Sequence, residues 1–154
     1  MDISLIITLH DEGEQARPTL LAASRARNTA AEQGFAVEIV LSVDRGSEST
    51  YRVVEDFQRH SQDQILHLDI GDVGANRNAA VAASRGRFVA ICDGDDMFSA
   101  NFLEVGAAIL LADPRQAIIR PQVIVQFDQT ATVGWQIGSD SDQFDPRCLV
   151  VVNP

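Results

Sequence analysis

The sequence predicts an α/β fold, an open and mostly parallel β-sheet with helices packed against it. Short apolar segments alternate along the chain with longer helical segments, which is typical of strands joined by helical crossovers. The first apolar segment, 3–9, is nearly continuous, as expected for a strand buried on both faces. With 154 residues, 45% of them hydrophobic, the chain is long enough for one domain with its own core.

The elements follow one another from the first strand, 3–9. An Ala-rich helix is predicted over 17–33, with Pro18 in its first turn and Gly34 just after its end. The other predicted strands are 36–43, 65–68, 88–92, 118–127, 132–137 and 148–152. The other predicted helices are 49–60, 74–85 and 99–112. Ser99 is expected to cap the last of these helices.

The charge pattern excludes several classes of function. The chain has 22 acidic and 12 basic residues, a formal net charge of -10, and every basic residue is Arg. Without Lys there is no P-loop, no Schiff-base chemistry and no protein-kinase ATP site. An acidic chain also repels phosphate backbones and anionic membranes, so nucleic acid is not an expected partner.

No signal peptide or membrane span is expected from the sequence. The amino terminus lacks the positive start of a signal peptide, and the longest apolar run, 105–112, is far shorter than the ~20 residues of a membrane span. Cys92 and Cys148 are too few for a disulfide framework and are expected to be reduced. We therefore predict one cytoplasmic domain over 1–154 without a transmembrane segment. Because the chain ends directly after an apolar run, it is expected to be cut from a longer protein.

Acidic residues follow three of the predicted strands. In an open parallel sheet, ligands bind where the strands end, so these residues are expected to share one edge. The groups are His10, Asp11 and Glu12; then Asp44; then Asp93, Asp95 and Asp96. Crowded carboxylates need a cation, and Mg²⁺ typically takes one or two of them together with water and substrate phosphates. The pattern indicates a metal and a diphosphate substrate. The alternatives are a solvated turn at 93–96 and a simple turn role for Asp44.

A cationic residue is predicted near this edge. The segment 74–78 reads Gly-Ala-Asn-Arg-Asn, and Gly74 is expected to open a helix whose free amide groups favour anions. Arg77, in the first turn of that helix, could hold a phosphate or a base edge. The alternative is an ordinary Arg on a helix surface.

Four segments together resemble the amino-terminal, nucleotide-sugar-binding part of family 2 glycosyltransferases. Segment 6–12 stands where the family has a hydrophobic strand leading into Pro-Thr-Tyr-Asn-Glu, and 43–47, Val-Asp-Arg-Gly-Ser, where it has a strand ending in Asp-Asp-Gly-Ser. Segment 74–78 is similar to Gly-x-x-x-Ala-Arg-Asn, and 92–96, Cys-Asp-Gly-Asp-Asp, to Leu-Asp-Ala-Asp-Asp. The resemblance covers roughly residues 3 to 125 and implies the Rossmann-like GT-A fold.

The resemblance implies a role for each matching residue. The residues that would bind the nucleotide are Thr8, His10, Asp44, Arg77 and Asp93. Within this set, Asp44 would hydrogen-bond the base and Asp93 would contact the ribose or the metal. Asp95 would ligate Mg²⁺ or Mn²⁺ bridging the diphosphate, with Asp96 as a supporting carboxylate. The implied partner is a nucleoside diphosphate sugar, with a UDP sugar favoured and the acceptor unidentified.

The sequence departs from the family pattern in three places. Arg45 replaces the second Asp of the usual pair, and Leu9 and His10 replace a common Thr-Tyr pair. The family's general base for inversion of the sugar has no recognisable counterpart, since the acidic residues of 139–145 lie in a polar loop and are expected to be solvated.

The resemblance therefore implies a metal-dependent inverting glycosyltransferase whose base and acceptor site lie beyond Pro154. The alternative is a noncatalytic nucleotide-sugar-binding or regulatory module. A phosphoacceptor signalling domain is disfavoured because the chain has no Lys, and a nucleotidyltransferase because the first strand is followed by acidic residues rather than by a basic Gly-rich loop.

Overall fold

The central strands are built from segments that are buried along their whole length. In the computed structural model, β1 (Ile3–Leu9) and β2 (Val37–Asp44) pair in parallel, and every residue of both strands is buried. β3 (Gln64–Leu68) pairs with β2, and β4 (Phe88–Asp93) pairs with β1, both also in parallel. The strand order β3-β2-β1-β4 confirms the predicted open parallel sheet.

Four α-helices cover the two faces of this sheet. They are α1 (Ala16–Glu32), α2 (Glu48–Asp56), α3 (Val73–Ala83) and α4 (Phe102–Ala112). Alternate residues of β1 and β2 pack against α1, α2 and α4, and Ala23, Ala26 and Ala30 bring α1 close to the sheet. On the opposite face Ile6 and Val40 pack against Ala80 of α3. The larger core therefore lies on the face of α1.

The chain reverses its direction of travel across the sheet at β1. From β1 it moves outward through β2 to β3, and α3 then carries it back to β4 on the other side of β1. This switch in strand order opens a crevice between the carboxyl ends of β1 and β4, the position at which open α/β sheets bind ligands.

The structure describes residues 1–113, 115, 118–119, 123–127 and 131–135. The chain divides into two compact units, Met1–Gln116 and Ala117–Pro154. In the second unit, β5 (Val123–Phe127) and β6 (Ala131–Trp135) form an antiparallel pair. The expected strand 148–152 lies outside the described residues. Within the described ranges, no helix combines the length and the hydrophobicity needed to cross a bilayer.

The largest differences from the predicted helices are at the end of α2 and at the start of α4. α2 stops at Asp56 instead of residue 60, because Asp63 organises the following turn: it accepts hydrogen bonds from the backbone N–H groups of His60 (2.7 Å) and Ile39 (2.9 Å). Asp63 also forms a buried ion pair with Arg27 of α1 at 2.7 Å. The predicted Ser99 cap is wrong, since α4 begins at Phe102 with Asn101 as its N-cap, and Ser99 contributes only its carbonyl to the Phe102 N–H.

A buried carboxylate joins the strands at the opposite end of the sheet. Glu38 of β2 is fully buried and accepts hydrogen bonds from the Ser4 hydroxyl (2.6 Å), the Gln64 amide (3.2 Å) and the backbone N–H of Arg85 (2.6 Å). The Arg85 guanidinium adds a bond from Nε at 2.8 Å. Burial alone would raise the pKa of Glu38, but the bonds from Ser4, Arg85 and Gln64 together lower it.

We predict that Glu38→Gln lowers the free energy of unfolding by about 2 kcal/mol, because charge-assisted hydrogen bonds are lost in a buried place. In a chain of this size, the melting temperature should fall by about 5 °C. Thermal and urea unfolding measure the change. Glu48→Gln is the matched control, since Glu48 forms only an exposed pair with Arg52.

The difference between wild type and Glu38→Gln should depend on pH. The folded-state pKa of Glu38 lies below its ordinary value of 4.5, so its contribution is complete above that value and is lost as the pH falls through the lowered pKa. A difference that stays constant from pH 7 down to strongly acidic pH would contradict the assigned charge state.

Candidate functional site

A hydrogen-bond network around Asp93 bridges the carboxyl ends of β1 and β4. Thr8 and Asp93 are register partners on the two strands, and the Thr8 hydroxyl donates to Asp93 Oδ1 at 2.9 Å. From α3, Arg77 Nη2 donates to both carboxylate oxygens of Asp93, at 2.6 and 2.8 Å. One carboxylate therefore joins three elements, and its charge is balanced by a guanidinium.

Asp44, at the end of β2, holds the loop that follows β3. Its carboxylate is buried and accepts the backbone N–H groups of Ile70 and Gly71, each at 2.7 Å. The bond from Ile70 is the main reason that the pKa of Asp44 is lowered, and the bond from Gly71 adds to it. The Asp44 carbonyl accepts from His10 Nδ1 at 2.5 Å, so Nδ1 carries a proton.

The acidic turn after β4 is packed tightly against the end of β1. Gly94 is required there for space, since a Cβ would lie 2.5 Å from Leu9 Cδ2 and 3.0 Å from the Thr8 carbonyl oxygen. The Thr19 hydroxyl donates to the Gly94 carbonyl at 2.8 Å and ties the turn to α1. This anchoring leaves Asp95 exposed at the edge of the crevice.

The acidic turn changes the ionisation of its neighbours. Burial, followed by the charges of Asp95 and Asp93, raises the pKa of Asp96. Burial and the same acidic cluster raise the pKa of the Cys92 thiol to about 12. Cys92 is therefore a protonated thiol at neutral pH, which fits packing rather than nucleophilic chemistry.

These groups surround a cavity of about 430 Å³, a size typical of small-molecule sites. It is lined by Thr8, Leu9, His10, Glu12, Asp44, Arg45, Gly71, Asp72, Val73, Asn76, Asp93 and Asp95. Five of these residues are acidic, against one Arg. An anionic ligand in this cavity therefore needs an accompanying cation.

The structure brings the predicted site residues to one place. Thr8, His10, Asp44, Asp93 and Asp95 all line the cavity, and Arg77 contacts Asp93 beside it. Their common position at the strand ends follows the prediction, whereas their roles towards a ligand stay predictions.

The start of α3 differs from the prediction. The helix begins at Val73 rather than at Gly74, and Asp72 is its N-cap, with its carboxylate accepting the Ala75 N–H at 2.7 Å. The expectation of a free helix end for an anion is therefore wrong, because Asp72 already supplies the negative group. An Asp three residues before Ala75 is the sequence signal that identifies this cap.

Sequence reasoning also missed the loop at 69–72 and the buried Asn76. Asn76 Oδ1 accepts the Ser42 hydroxyl at 2.5 Å, which anchors α3 to β2. The loop forms one wall of the cavity through Gly71 and Asp72. Gly71, between a strand and a capped helix, was the available signal for this loop. Its hydrogen-bond partner Asp44 could not be identified, because it is 27 residues away in the sequence.

A family model places the chain among known proteins. The model described as "Glycosyl transferase family 2" matches residues 4–147, so this chain belongs to glycosyl transferase family 2. The observed sheet, with its flanking helices and its crevice at the strand ends, is accordingly a GT-A fold. No curated protein sequence matches the chain.

Solved structures with the same fold include TarS from S. aureus. The chain is 23% identical to TarS, with a TM-score of 0.61, over 73% of this chain and 20% of that one. For TarS 1-349 the TM-score is 0.62, with 33% of that chain covered. TarS 1-349 in complex with UDP-GlcNAc has a TM-score of 0.61, with 32% covered. This chain thus spans a third or less of the length of these structures.

We predict that Gly94→Ala destabilises the fold by about 2 kcal/mol, because the added methyl group overpacks against Leu9 and the Thr8 carbonyl. Gly106→Ala is the matched control. A Cβ at Gly106, in the interior of α4, meets nothing within 4 Å, so this change should stabilise by about 0.5 kcal/mol. Chemical denaturation of both variants tests the pair, and equal effects would contradict the tight packing of the acidic turn.

Proposed function

We propose that this chain is the donor-binding part of a metal-dependent inverting glycosyltransferase. Its ligand is a nucleoside diphosphate sugar, with UDP as the favoured nucleotide, and the acceptor class stays open. The observation that carries the proposal is the meeting of Thr8, Asp93 and Arg77 beside the exposed Asp95, at the switch point of the sheet. Membership of glycosyl transferase family 2 and the fold shared with a UDP-GlcNAc complex support it.

The two ends of the cavity suit different parts of such a donor. Each oxygen of the Asp44 carboxylate takes one backbone N–H and keeps a lone pair, so it can accept an N–H from a pyrimidine edge. Asp93 Oδ2 takes one bond from Arg77 and can also accept a ribose hydroxyl, while Arg77 balances the charge of the carboxylate. The donor would then lie along the strand ends, with its diphosphate next to Asp95.

The residues beside the diphosphate position fit a hard divalent cation that keeps most of its water. In the described part of the chain, no three His, Cys, Asp or Glu side chains are grouped to hold a metal by themselves. Mg²⁺ or Mn²⁺ would be held by Asp95 together with Asp93, and substrate phosphates would supply further oxygens. When bound, such an ion offsets the charge that develops on the departing nucleoside diphosphate.

The acceptor side is assigned to chain outside the described residues. A general base is not identified in the described ranges, and Asp140, Asp142 and Asp145 lie outside them. We propose that 1–154 acts as one donor-binding domain in the cytoplasm, where a free thiol such as Cys92 stays reduced.

The second candidate function is a noncatalytic nucleotide-sugar-binding module. It is favoured by the general base that is not identified in the described ranges. Donor binding without transfer or hydrolysis by the complete protein would select it.

Calorimetric titration of the chain with UDP, GDP and CDP, with and without Mn²⁺, tests the donor site. We expect UDP to bind only when Mn²⁺ is present, and Asp95→Ala to weaken this binding about tenfold, because the metal loses a carboxylate ligand. Glu55→Ala removes an exposed charge on α2 and is the control, with unchanged binding expected. Absence of metal-dependent binding for all three nucleotides, or an unaffected Asp95→Ala variant, would refute the proposal.

The role of Asp44 can be separated from that of the diphosphate site. Asp44→Ala should weaken UDP binding about tenfold, the loss expected for one hydrogen bond to a charged group, while pyrophosphate binding changes little. Competition titrations with both ligands in Mn²⁺ measure the two affinities. An equal loss for UDP and pyrophosphate would show that Asp44 does not contact the base.

A further inference from the structure

Arg45, where the family pattern has an Asp, occupies a backbone conformation that side chains rarely adopt. Its φ is 52°, and within the described residues no other non-glycine residue has a positive φ. The conformation extends the contact between β2 and β3, since the Arg45 N–H donates to the Leu68 carbonyl at 3.0 Å. Such backbone strain persists only where surrounding contacts enforce it, and it concentrates at functional sites.

The Arg45 side chain is held over the loop at 69–72. Its Nε donates to Asp69 Oδ1 at 2.6 Å, and its guanidinium lies directly against Gly71. A Cβ at Gly71 would come within 2.2 Å of Arg45 Nη1 and 2.7 Å of Cζ, and the φ of Gly71 is also positive, at 73°. The positive φ favours glycine at position 71, and a side chain there would displace the guanidinium from its present place.

Asp44, the last residue of β2, and Arg45, which follows it, thus both hold loop 69–72. Asp44 takes the N–H groups of Ile70 and Gly71 from one side, while Arg45 holds Asp69 and covers Gly71 from the other. The loop leads directly into Asp72, the cap of α3, and this helix carries Arg77 to Asp93. The position of the loop therefore bears on the cavity wall and on the helix that completes the site.

The exposure of the Arg45 contacts separates their role from folding stability. The side chains of Arg45 and Asp69 are 53% and 87% exposed, and ion pairs at such exposure add little to stability. The ion pair is too exposed to make folding stability the reason for the strained backbone at Arg45. The position of Arg45 in the cavity lining gives a better reason.

We propose that Arg45 is a positioning residue of the donor site. Its guanidinium, held between Asp69 and Gly71, keeps loop 69–72 in place as the wall of the cavity next to Asp44. That the ligand is a nucleotide rests on the proposed function. The restraint of loop 69–72 by Arg45 is a property of the protein without ligand.

The test compares Arg45→Asn with Arg45→Lys in the 154-residue chain. Asn tolerates the left-handed backbone but removes the guanidinium, whereas Lys keeps a cation for Asp69. We expect Arg45→Asn and Asp69→Asn each to weaken UDP binding in Mn²⁺ about threefold, because an exposed pair can bias the position of the loop only modestly, with Arg45→Lys in between. The double variant should be no weaker than either single one, because the two side chains act as a unit. The melting temperature should stay within about 2 °C of wild type, since exposed pairs contribute little.

Arg52→Ala is the control for charge, because it removes one exposed Arg and alters the net charge equally. UDP binding by Arg45→Asn that is no weaker than by Arg52→Ala would overturn the proposal. Hydrogen exchange at the Ile70 and Gly71 amides provides a readout without nucleotide, and Arg45→Asn should accelerate it at least severalfold. Unchanged exchange overturns the proposal even if UDP binds. If wild type binds no UDP, the donor assignment fails and the exchange rates alone decide the role of Arg45.

Discussion

The ion pair between Arg77 and Asp93 is the contact on which the rest of the candidate site depends. β1 and β4 are neighbours at the point where the strand order reverses, so their ends are bridged by side chains rather than by a crossover helix. Arg77 crosses this gap from α3, and Thr8 donates to the same carboxylate from β1. Because one cation offsets the first of several crowded carboxylates, the acidic turn can stay folded against β1 with Asp95 open to solvent.

The carboxylates at the two ends of the sheet have different surroundings. At the amino end, Glu38 is surrounded by donors from β1, from β3 and from the segment before β4, which leaves it with a structural role. At the carboxyl end, Asp44 and Asp93 are also hydrogen-bonded, yet both border a cavity and keep acceptor capacity towards it. The fully buried strands between the two ends keep the positions of these groups rigid. A carboxylate in this sheet is thus either enclosed by donors or placed beside the cavity according to the end at which it lies.

Most of the sheet was predictable, because burial on both faces leaves a continuous apolar pattern at 3–9 and 36–43. The carboxylates at the strand ends were predictable for the same reason, since parallel strands end at one edge. The early end of α2 comes from distant partners, since Asp63 binds groups on α1 and β2. The early start of α3 comes from a local residue whose role the prediction overlooked, the cap Asp72. The Arg45 contact was invisible because its Asp69 and Gly71 partners lie beyond another helix and strand.

By itself, the sequence determined the order of strands and helices, the buried segments and the set of acidic residues at the carboxyl edge of the sheet. The motifs also identified the family, because their residue types and order are local properties of the chain. Only the tertiary structure decided that Arg77 neutralises Asp93, that Asp44 holds loop 69–72 and that Arg45 lies over Gly71. These contacts join residues up to 85 positions apart, as between Thr8 and Asp93. Strand register and the switch in strand order at β1 set such distances, and neither is encoded in any single segment.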